Sequence, residues 1–180
     1  MPRQARTDSA FALHVTIVGA KKIKAGDWLT GTSDAYVTCE IIDDRKSASA
    51  PLPNNFARRT SVAKRTRSPE WNETIDINLD DADHHHNTLR LSMWDEDSGR
   101  LRELGSKSHD LLGWVDVRFR RTDDGDVVFD NTPEEQVVER QLSTVKGGSS
   151  ATLAFSVAYM KLMRIYAHNF CMRMRIFTWT

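Results

Sequence analysis

The sequence predicts an all-β protein, an antiparallel β-sandwich, from the spacing of its apolar residues. Short segments such as "LHVTIV" and "TIDINL" alternate apolar and polar residues, which is typical of strands with one buried face. Turn-forming residues separate these segments, and nothing before residue 160 has the apolar period of a helix. With 180 residues, the chain can form one domain with its own core and short extensions.

Eight strands are predicted within one domain over residues 11–160, after a flexible N-terminus of residues 1–10. Each strand carries β-branched, aromatic or other apolar residues at alternate positions. Polar segments rich in Gly, Pro, Ser or Asp connect the strands. The predicted strands are 11–20, 34–42, 58–66, 72–79, 88–95, 111–119, 136–143 and 151–160.

Residues 161–180 have a different pattern and are predicted to form a basic amphipathic tail. Apolar residues recur at intervals of three and four, as on one face of a helix: Met160, Met163, Ala167, Phe170, Met174 and Phe177. Basic residues accompany them at Lys161, Arg164, Arg173 and Arg175. This pattern indicates an amphipathic helix that lies on a membrane surface or packs on a partner. A tail that is not native to the protein is a third interpretation.

The composition excludes several classes of function. Lys plus Arg and Asp plus Glu both number 25, so the chain lacks the overall basic field that attracts nucleic acid. Its two cysteines, Cys39 and Cys171, form no disulfide framework and fit a reducing cytoplasmic environment. No apolar run approaches the ~20 residues that span a bilayer, and no signal-type segment opens the chain. Any contact with a membrane is therefore expected at its cytoplasmic surface.

Aspartates concentrate in two loops that could share one end of the sandwich. Asp27 and Asp34 lie between the first two predicted strands, Asp95 and Asp97 follow the fifth, and Asp110 ends the loop after them. Converging carboxylates repel one another, and Ca²⁺ relieves this repulsion because it takes six to eight oxygen ligands. Taken singly, each residue also fits a turn, since Asp hydrogen-bonds to its own backbone there. The convergence is what predicts a calcium site.

Four stretches, in order along the chain, resemble motifs of the C2 domain family, a calcium- and lipid-binding β-sandwich. The stretches are Ser33-Asp34-Ala35-Tyr36-Val37, Ser68-Pro69-Glu70-Trp71-Asn72-Glu73, Asp95-Glu96-Asp97 and Asp110-Leu111-Leu112-Gly113. They resemble the family patterns Ser-Asp-Pro-Tyr-Val, Asn-Pro-x-Trp-Asn-Glu, Asp-x-Asp and Asp-x-x-Gly. The similarity covers about residues 11–160. The strand order further resembles the type II topology of HECT-type ubiquitin ligases and novel protein kinases C.

The resemblance implies a calcium-dependent module that binds anionic phospholipid membranes, with phosphatidylserine or phosphoinositides as the lipids. The implied calcium ligands are Asp27, Asp34, Asp95, Asp97 and Asp110. The ligand loops of such a domain enter the membrane interface, where tryptophan and leucine are favourable; the matching residues are Trp28, Leu29, Leu101 and Leu104.

An alternative interpretation is a calcium-independent C2 domain that binds a protein partner or acts as a scaffold. It follows from two ligand spacings, Asp27 to Asp34 and Asp97 to Asp110, which are longer here than is usual in the family. An enzyme is not expected, because no nucleophile or phosphate-binding glycine loop has a recognisable context.

A second site is predicted on the basic third strand. The residues are Arg59, Lys64, Arg65 and Arg67, of which the three arginines would share one strand face. Each basic residue near an anionic membrane contributes ~1 kcal/mol of attraction. An equally simple interpretation is that these basic residues lie on a sheet face in contact with water and bind no lipid. The histidine run at 84–86 lies in a polar loop and is not predicted to bind a metal in the cell. The resemblance implies that Trp71 is a buried core tryptophan.

Overall fold

The computed structural model describes residues 9–24, 31–43, 58–79, 87–96, 109–122, 126–144, 150–167 and 170–175. Within these ranges the chain forms strands and connecting segments, and it contains no helix that could cross a membrane. The strands are β1 (Ser9–Lys21), β2 (Ser33–Asp43), β3 (Ala63–Thr66), β4 (Glu70–Asn78), β5 (Asn87–Glu96), β6 (His109–Arg121), β7 (Val127–Phe129), β8 (Val138–Gln141), β9 (Thr152–Ala167) and β10 (Phe170–Arg175).

Two five-stranded antiparallel sheets confirm the predicted all-β sandwich. The first sheet has the order β10-β9-β1-β4, with β8 also paired to β9, and the second has the order β3-β2-β5-β6-β7. All eight predicted strands are present, although the third is shorter than predicted and begins at Ala63. The two further strands are β7, in a segment predicted as a loop, and β10, in the predicted tail. The type II topology stays a prediction.

The core lies between the two sheets and is built from the alternate positions that the sequence pattern predicted. Leu13, Val15 and Ile17 of β1 are fully buried, as are Leu91 of β5 and Phe155 of β9. Burying a side chain of this size stabilises the fold by ~1.5–3 kcal/mol relative to leaving it in water. The alternation therefore fixes which face of each strand points inward.

Trp71 of β4 closes the core near one sheet edge, as predicted. Its side chain is buried, and its indole Nε1 donates a hydrogen bond of 2.9 Å to the carbonyl oxygen of Ser61. The bond satisfies the one polar atom of the ring, which makes burial of the large side chain favourable. Because Ser61 lies beside the second sheet and Trp71 in the first, this bond connects the two sheets.

The predicted C-terminal helix is wrong for the residues that the structure describes. β9 continues past residue 160 to Ala167, and β10 returns antiparallel to it with Phe170 opposite Ala167. The backbone of residues 160–163 pairs with residues 9–12 of β1. These inter-strand hydrogen bonds replace the bonds of a helix, and residues four apart share a face in a strand as they do in a helix. Residues three apart share a face only in a helix, so the apolar spacing favoured a helix, and the backbone pairing with β1 and between β9 and β10 overrides it.

A bulge in the pairing of β5 with β6 positions the end of the second sheet. Met93 pairs with Gly113, but the next residue, Trp94, pairs with Leu111, so Leu112 is the extra residue. Gly113 has φ +154°, and a Cβ added there would lie 2.7 Å from the carbonyl oxygen of Ser143. Only glycine tolerates this conformation and this contact at low cost.

Replacing Gly113 with alanine should destabilise the fold by about 2–4 kcal/mol, because the new methyl group meets Ser143 and Leu142 while the backbone keeps an unfavourable φ. The matched control is Gly31→Ala, where φ is +67° and no atom lies within 4 Å of the added Cβ; its cost should be about 1–2 kcal/mol. Urea unfolding of both variants tests this, and equal losses would contradict the steric argument.

Candidate functional site: the aspartate end of the second sheet

Three of the five predicted calcium ligands lie together at one end of the second sheet. Antiparallel pairing sets Ala35 of β2 opposite Asp95 of β5, and Asp95 opposite Asp110 of β6. Asp34 directly precedes Ala35, so the three aspartates form a row across the adjoining ends of β2, β5 and β6, in which Asp34 is offset by one register position from the Asp95–Asp110 pair. The register places them there because β2 and β6 begin, and β5 ends, at this edge. Asp27 and Asp97 lie outside the described residues.

The bulge decides the position of Asp110. Without the extra residue at Leu112, the register from Met93↔Gly113 would set Asp95 opposite Leu111. With the bulge, Asp110 is the partner of Asp95, and the two carboxylates belong to directly paired positions. The long Asp97–Asp110 spacing is therefore compatible with a position of Asp110 beside Asp95.

Asp95 is the most buried of the three aspartates, with a relative exposure of 4%. Its Oδ1 accepts a hydrogen bond of 2.6 Å from the backbone N–H of Asp34. Asp34 in turn accepts a bond of 2.8 Å on Oδ1 from the backbone N–H of Arg65. These bonds hold the carboxylates of β2 and β5 in place and join them to β3. Asp110 is exposed.

The donor set at this edge consists of carboxylate oxygens, which suit a hard cation such as Ca²⁺. Within the described ranges, however, no group of three or more His, Cys, Asp or Glu side chains is arranged as a complete metal site. The ligand role of the described aspartates stays a prediction, and the remaining two predicted ligands, Asp27 and Asp97, lie outside the described residues.

Tyr36 and His109 are parts of this edge that the sequence analysis missed. The Tyr36 hydroxyl lies 3.0 Å from Nδ1 of His109, and the two rings meet edge to face with centroids 5.7 Å apart. The guanidinium of Arg59 lies 5.0 Å from the centroid of the Tyr36 ring and 3.7 Å from the carboxylate of Glu96. The sequence could have indicated both residues, because Tyr36 and His109 are close to Asp34 and Asp110 in the chain.

Burial raises the pKa of Tyr36 from 10.0 to about 12, although the positive charge of Arg59 opposes the shift. The phenol therefore stays protonated at neutral pH and can serve as a stable link between β2 and the first residue of β6. Through this link, the start of β2 near Asp34 contacts the residue next to Asp110.

The four predicted basic residues do not lie on one regular strand. Arg59 forms an isolated bridge with Thr38 of β2, whereas Lys64 and Arg65 lie in β3 and Arg67 follows it. Arg65 has φ 52°, so the side-chain alternation of an ideal strand is interrupted there. The Nε of Arg67 donates to the carbonyl oxygen of Ile23. All four residues, Arg59, Lys64, Arg65 and Arg67, are nevertheless exposed.

Trp28, Leu29, Leu101 and Leu104, the predicted membrane-inserting residues, all lie outside the described residues, as does the histidine run at 84–86. Ser33, from the first motif, is buried and donates a hydrogen bond of 2.8 Å to the carbonyl oxygen of Lys24. This bond connects the segment that follows β1 with the residue that starts β2.

Comparison with known proteins finds a match to the C2 domain family model over residues 11–133. Among curated proteins, Synaptotagmin-3 of Arabidopsis thaliana is 30% identical over 114 residues, which cover 63% of this chain and 18% of that protein. Synaptotagmin-C of Diplobatis ommata is 32% identical over 89 residues, which cover 49% of this chain and 15% of that protein. The chain thus corresponds to a small part of each relative.

Two solved structures share the fold. A single C2 domain of plant Extended Synaptotagmin 1 matches with a TM-score of 0.53 and 18% identity, over 82% of this chain and 92% of that one. A calcium-bound structure of two C2 domains of Extended-Synaptotagmin 2 matches with a TM-score of 0.52 and 17% identity, over 87% of this chain and 48% of that one. Both comparisons support the sandwich architecture described above.

Replacing Asp95 with alanine should lower the free energy of unfolding by about 1–3 kcal/mol, because the Asp34 N–H loses the acceptor that it has in the folded protein. Asp95→Asn keeps an oxygen at this position and should cost less than about 1 kcal/mol. Urea unfolding in the presence of a chelator measures both. Asp110→Ala, at the exposed position opposite, should change stability by less than about 0.5 kcal/mol. Equal losses for Asp95→Ala and Asp95→Asn would contradict the role of the bond.

The stability of the fold should fall as the pH rises from about 10 to about 12. The folded state binds the Tyr36 proton more tightly than the unfolded chain, so this contribution is complete below pH 10.0 and is lost as the pH approaches the folded pKa of about 12. Burial also raises the pKa of Tyr159 to about 12. Urea unfolding at several alkaline pH values should show a shallower decline for Tyr36→Phe than for the unaltered protein; an unchanged slope would contradict this assignment.

Proposed function

This chain belongs to the C2 domain family, and we propose that it is a calcium-dependent module that binds anionic phospholipid surfaces. Its role in this proposal is targeting: it brings itself, or an activity attached to it, to a membrane. The observation that carries the proposal is the row formed by Asp34, Asp95 and Asp110 across three adjacent strands.

The burial of Asp95 supports a cation at this edge. A buried carboxylate loses hydration, and the neighbouring carboxylates at Asp34 and Asp110 add repulsion. The Asp34 N–H compensates part of this cost through its bond to Oδ1 of Asp95. Calcium, when bound, would supply the remaining positive charge and would accept lipid phosphate or carboxylate oxygens as further ligands. Asp27 and Asp97 are the chain's own residues that would complete the set.

The residues proposed to enter the membrane interface belong to the segments 25–30 and 97–108, which lie outside the described residues and connect in the chain to strands that begin or end at this edge. Trp28 and Leu29 precede β2, and Leu101 and Leu104 precede β6. Tryptophan is favourable at the depth of the lipid headgroups because its ring is apolar and its N–H can still find a polar partner. Neutralised aspartates would let these loops approach an anionic surface without repulsion.

The basic residues Arg59, Lys64, Arg65 and Arg67 are proposed as a second contact with anionic lipid. The Arg65 backbone binds the Asp34 carboxylate, so the basic segment, residues 59–67, lies beside the aspartate end of the sheet. Both sites can therefore face the same membrane. Phosphatidylserine would suit the calcium edge, and the more highly charged phosphoinositides would suit the basic segment.

Binding rather than catalysis is the proposed activity of this chain, and the cytoplasmic face of a membrane is its proposed location. Calcium is the proposed cofactor, anionic phospholipids are the proposed partners, and no role with nucleic acid is proposed, because the net charge is zero.

A calcium-independent module that binds a protein partner is the second candidate. The observation in its favour is that one oxygen each of Asp34 and Asp95 already accepts a backbone N–H bond. These bonds stabilise the carboxylates without a cation. This candidate predicts that the same sandwich would bind its partner equally well in calcium and in chelator.

Co-sedimentation with phosphatidylserine-containing vesicles, in calcium and in chelator, separates the two candidates. The calcium-dependent module should pellet in calcium and stay in solution in chelator. In Asp34→Asn/Asp95→Asn the vesicle affinity in calcium should fall on the order of tenfold or more, since two charged oxygen ligands are lost. Vesicles of phosphatidylcholine alone measure binding that does not depend on anionic lipid.

The matched control is Asp126→Asn/Asp130→Asn, which removes the same two charges beyond the opposite end of β6. Both residues are exposed, so this variant should bind vesicles as the unaltered protein does. Equal pelleting in calcium and chelator would move the membrane contact to the basic segment. No pelleting under any condition would contradict the membrane function and leave the protein-binding candidate.

A further inference from the structure

The segment from Arg58 to Val62 has a feature that the proposed function does not use: two arginines directly precede a pair of hydroxyl residues, in the order Arg-Arg-Thr-Ser-Val. The segment runs along β2 without forming a regular strand. Two backbone bonds of 2.9 Å hold it there, from Cys39 N–H to the Arg58 carbonyl oxygen and from Thr60 N–H to the Val37 carbonyl oxygen.

The structure distinguishes the two hydroxyls. Thr60 is 2% exposed, and its Oγ1 accepts a bond from the Val37 N–H and donates one to the Ser61 carbonyl oxygen. Ser61 is exposed. Its Oγ donates a bond of 2.5 Å to Oε1 of Glu73, and its N–H donates a bond of 3.0 Å to Oε2 of the same carboxylate. Ser61 is therefore accessible from solvent and Thr60 is not.

We propose that Ser61 is a phosphorylation site for an arginine-directed serine/threonine kinase, and that its phosphate weakens the contact of the basic segment with anionic membranes. The second half of this inference rests on the proposed function, and the first half does not. Kinases of this class present carboxylates to arginines that lie two and three residues before the acceptor, and here these are Arg59 and Arg58.

The reaction needs ATP as the phosphoryl donor. The Ser61 Oγ attacks the γ-phosphorus of ATP, an Oγ–P bond forms, and the bond from the γ-phosphorus to the bridging oxygen of the β-phosphate breaks. ADP is the leaving group, and the hydroxyl proton passes to the catalytic aspartate of the kinase. The segment is held by two backbone bonds to β2 and by the bonds of Ser61 to Trp71 and Glu73. Local opening that breaks these bonds must therefore precede its binding to a kinase in an extended form.

Phosphorylation would break the link between Ser61 and Glu73. The hydroxyl proton that Glu73 accepts is lost, and a group with ~2 negative charges replaces it beside a carboxylate. Like charges at this separation repel, so Glu73 would no longer hold the segment. Because Glu73 lies in β4 of the first sheet and Ser61 lies beside the second, the broken link is one that connects the edges of the two sheets.

The new charge would also act on the basic segment. Arg59 and Lys64 are two and three residues from Ser61, which is ~7–10 Å along an extended chain and close to one Debye length at physiological ionic strength. Each basic residue near an anionic surface raises membrane affinity about fivefold. Cancelling one to two of these charges should therefore weaken vesicle binding about five- to thirtyfold.

Ser68 is the competing acceptor, since Arg65 lies three residues before it. Its following residue is Pro69, which is buried and whose carbonyl oxygen accepts a bond of 2.9 Å from the Ala20 N–H. The turn that contains Ser68 is thus held against β1, as the Ser61 segment is held against β2. The difference between the two serines is that Ser61 has an arginine both two and three residues before it, whereas Ser68 has Thr66 two residues before it. Ser61→Ala and Ser68→Ala form a matched pair in which one exposed serine is removed at a time.

Incubation of the full chain with ATP and the catalytic subunit of the cyclic-AMP-dependent protein kinase tests the site. The expected result is one phosphate per chain, mapped to Ser61 by peptide mass spectrometry, present in Ser68→Ala and lost in Ser61→Ala and in Arg58→Ala/Arg59→Ala. Circular dichroism checks that each variant is folded. Absence of phosphate, or its presence at Ser68 or Thr60 instead, would overturn the assignment.

Two measurements on the phosphorylated protein test the consequence. Its melting temperature should fall by about 2–4 °C, and the fall should be smaller when the neutral Glu73→Gln variant is phosphorylated, because the repulsion is absent. Affinity for phosphatidylserine vesicles should fall about five- to thirtyfold. Unchanged vesicle affinity in a protein that binds before modification would overturn the regulatory role. If the unmodified chain binds no vesicles, the proposed membrane function fails, while the mapped phosphate still decides the site.

Discussion

The pairing of β5 between β2 and β6 is the constraint on which the second sheet and its aspartate edge depend. Every residue from Asn87 to Asp95 is buried, so both faces of this strand are covered and its register cannot shift without exposing apolar groups or burying others. On the inner face, Leu89, Leu91 and Met93 pack in the core. The same alternation brings Asp95 to the end of this inner row, opposite Ala35 and Asp110.

The outer face of β5 is mainly polar, and specific pairing compensates the burial of Arg90 and of the Trp94 indole, whereas the buried Ser92 hydroxyl has no hydrogen-bond partner among the described residues. Arg90 is 4% exposed and binds Asp116 of β6 through two nitrogen–oxygen contacts of 2.7 and 2.8 Å. The bond to Asp116 raises the pKa of Arg90, and burial raises the pKa of Glu40 on the neighbouring strand. Further along, the indole of Trp94 donates to Thr38 Oγ1 at 3.0 Å. Such pairs fix the same register as the core does, because a slip would leave buried charges unpaired.

The edges of the two sheets are joined by polar contacts rather than by the core. Trp71 and Glu73 of the first sheet both bind Ser61, which lies beside the second. Within the second sheet, polar contacts also join neighbouring strands at the aspartate edge, where Asp34 binds the Arg65 backbone and Tyr36 binds His109. Most of these contacts involve exposed or half-buried residues, so water, ions or covalent modification can compete with them. Contacts in the interior are not open to such competition, which is why the proposed binding and regulatory sites both lie at edges.

Alternation of apolar residues was enough to predict the sandwich and the inward faces of its main strands, because burial of one strand face is a local property of the chain. The burial of Trp71 followed from the resemblance to the C2 family, and the aspartates were nominated by their concentration in two segments and by contiguous motifs. The pattern could not predict β7, whose three residues form a strand only by pairing with Phe119–Arg121, or β10, where spacings of three and four favoured a helix and pairing with β9 decided for a strand. Nor could it place Arg59 beside Tyr36, show that Leu112 is a bulge, or select Ser61 over Thr60. Each of these depends on a hydrogen-bond partner that is distant in sequence, and such partners exist only once the strands have paired.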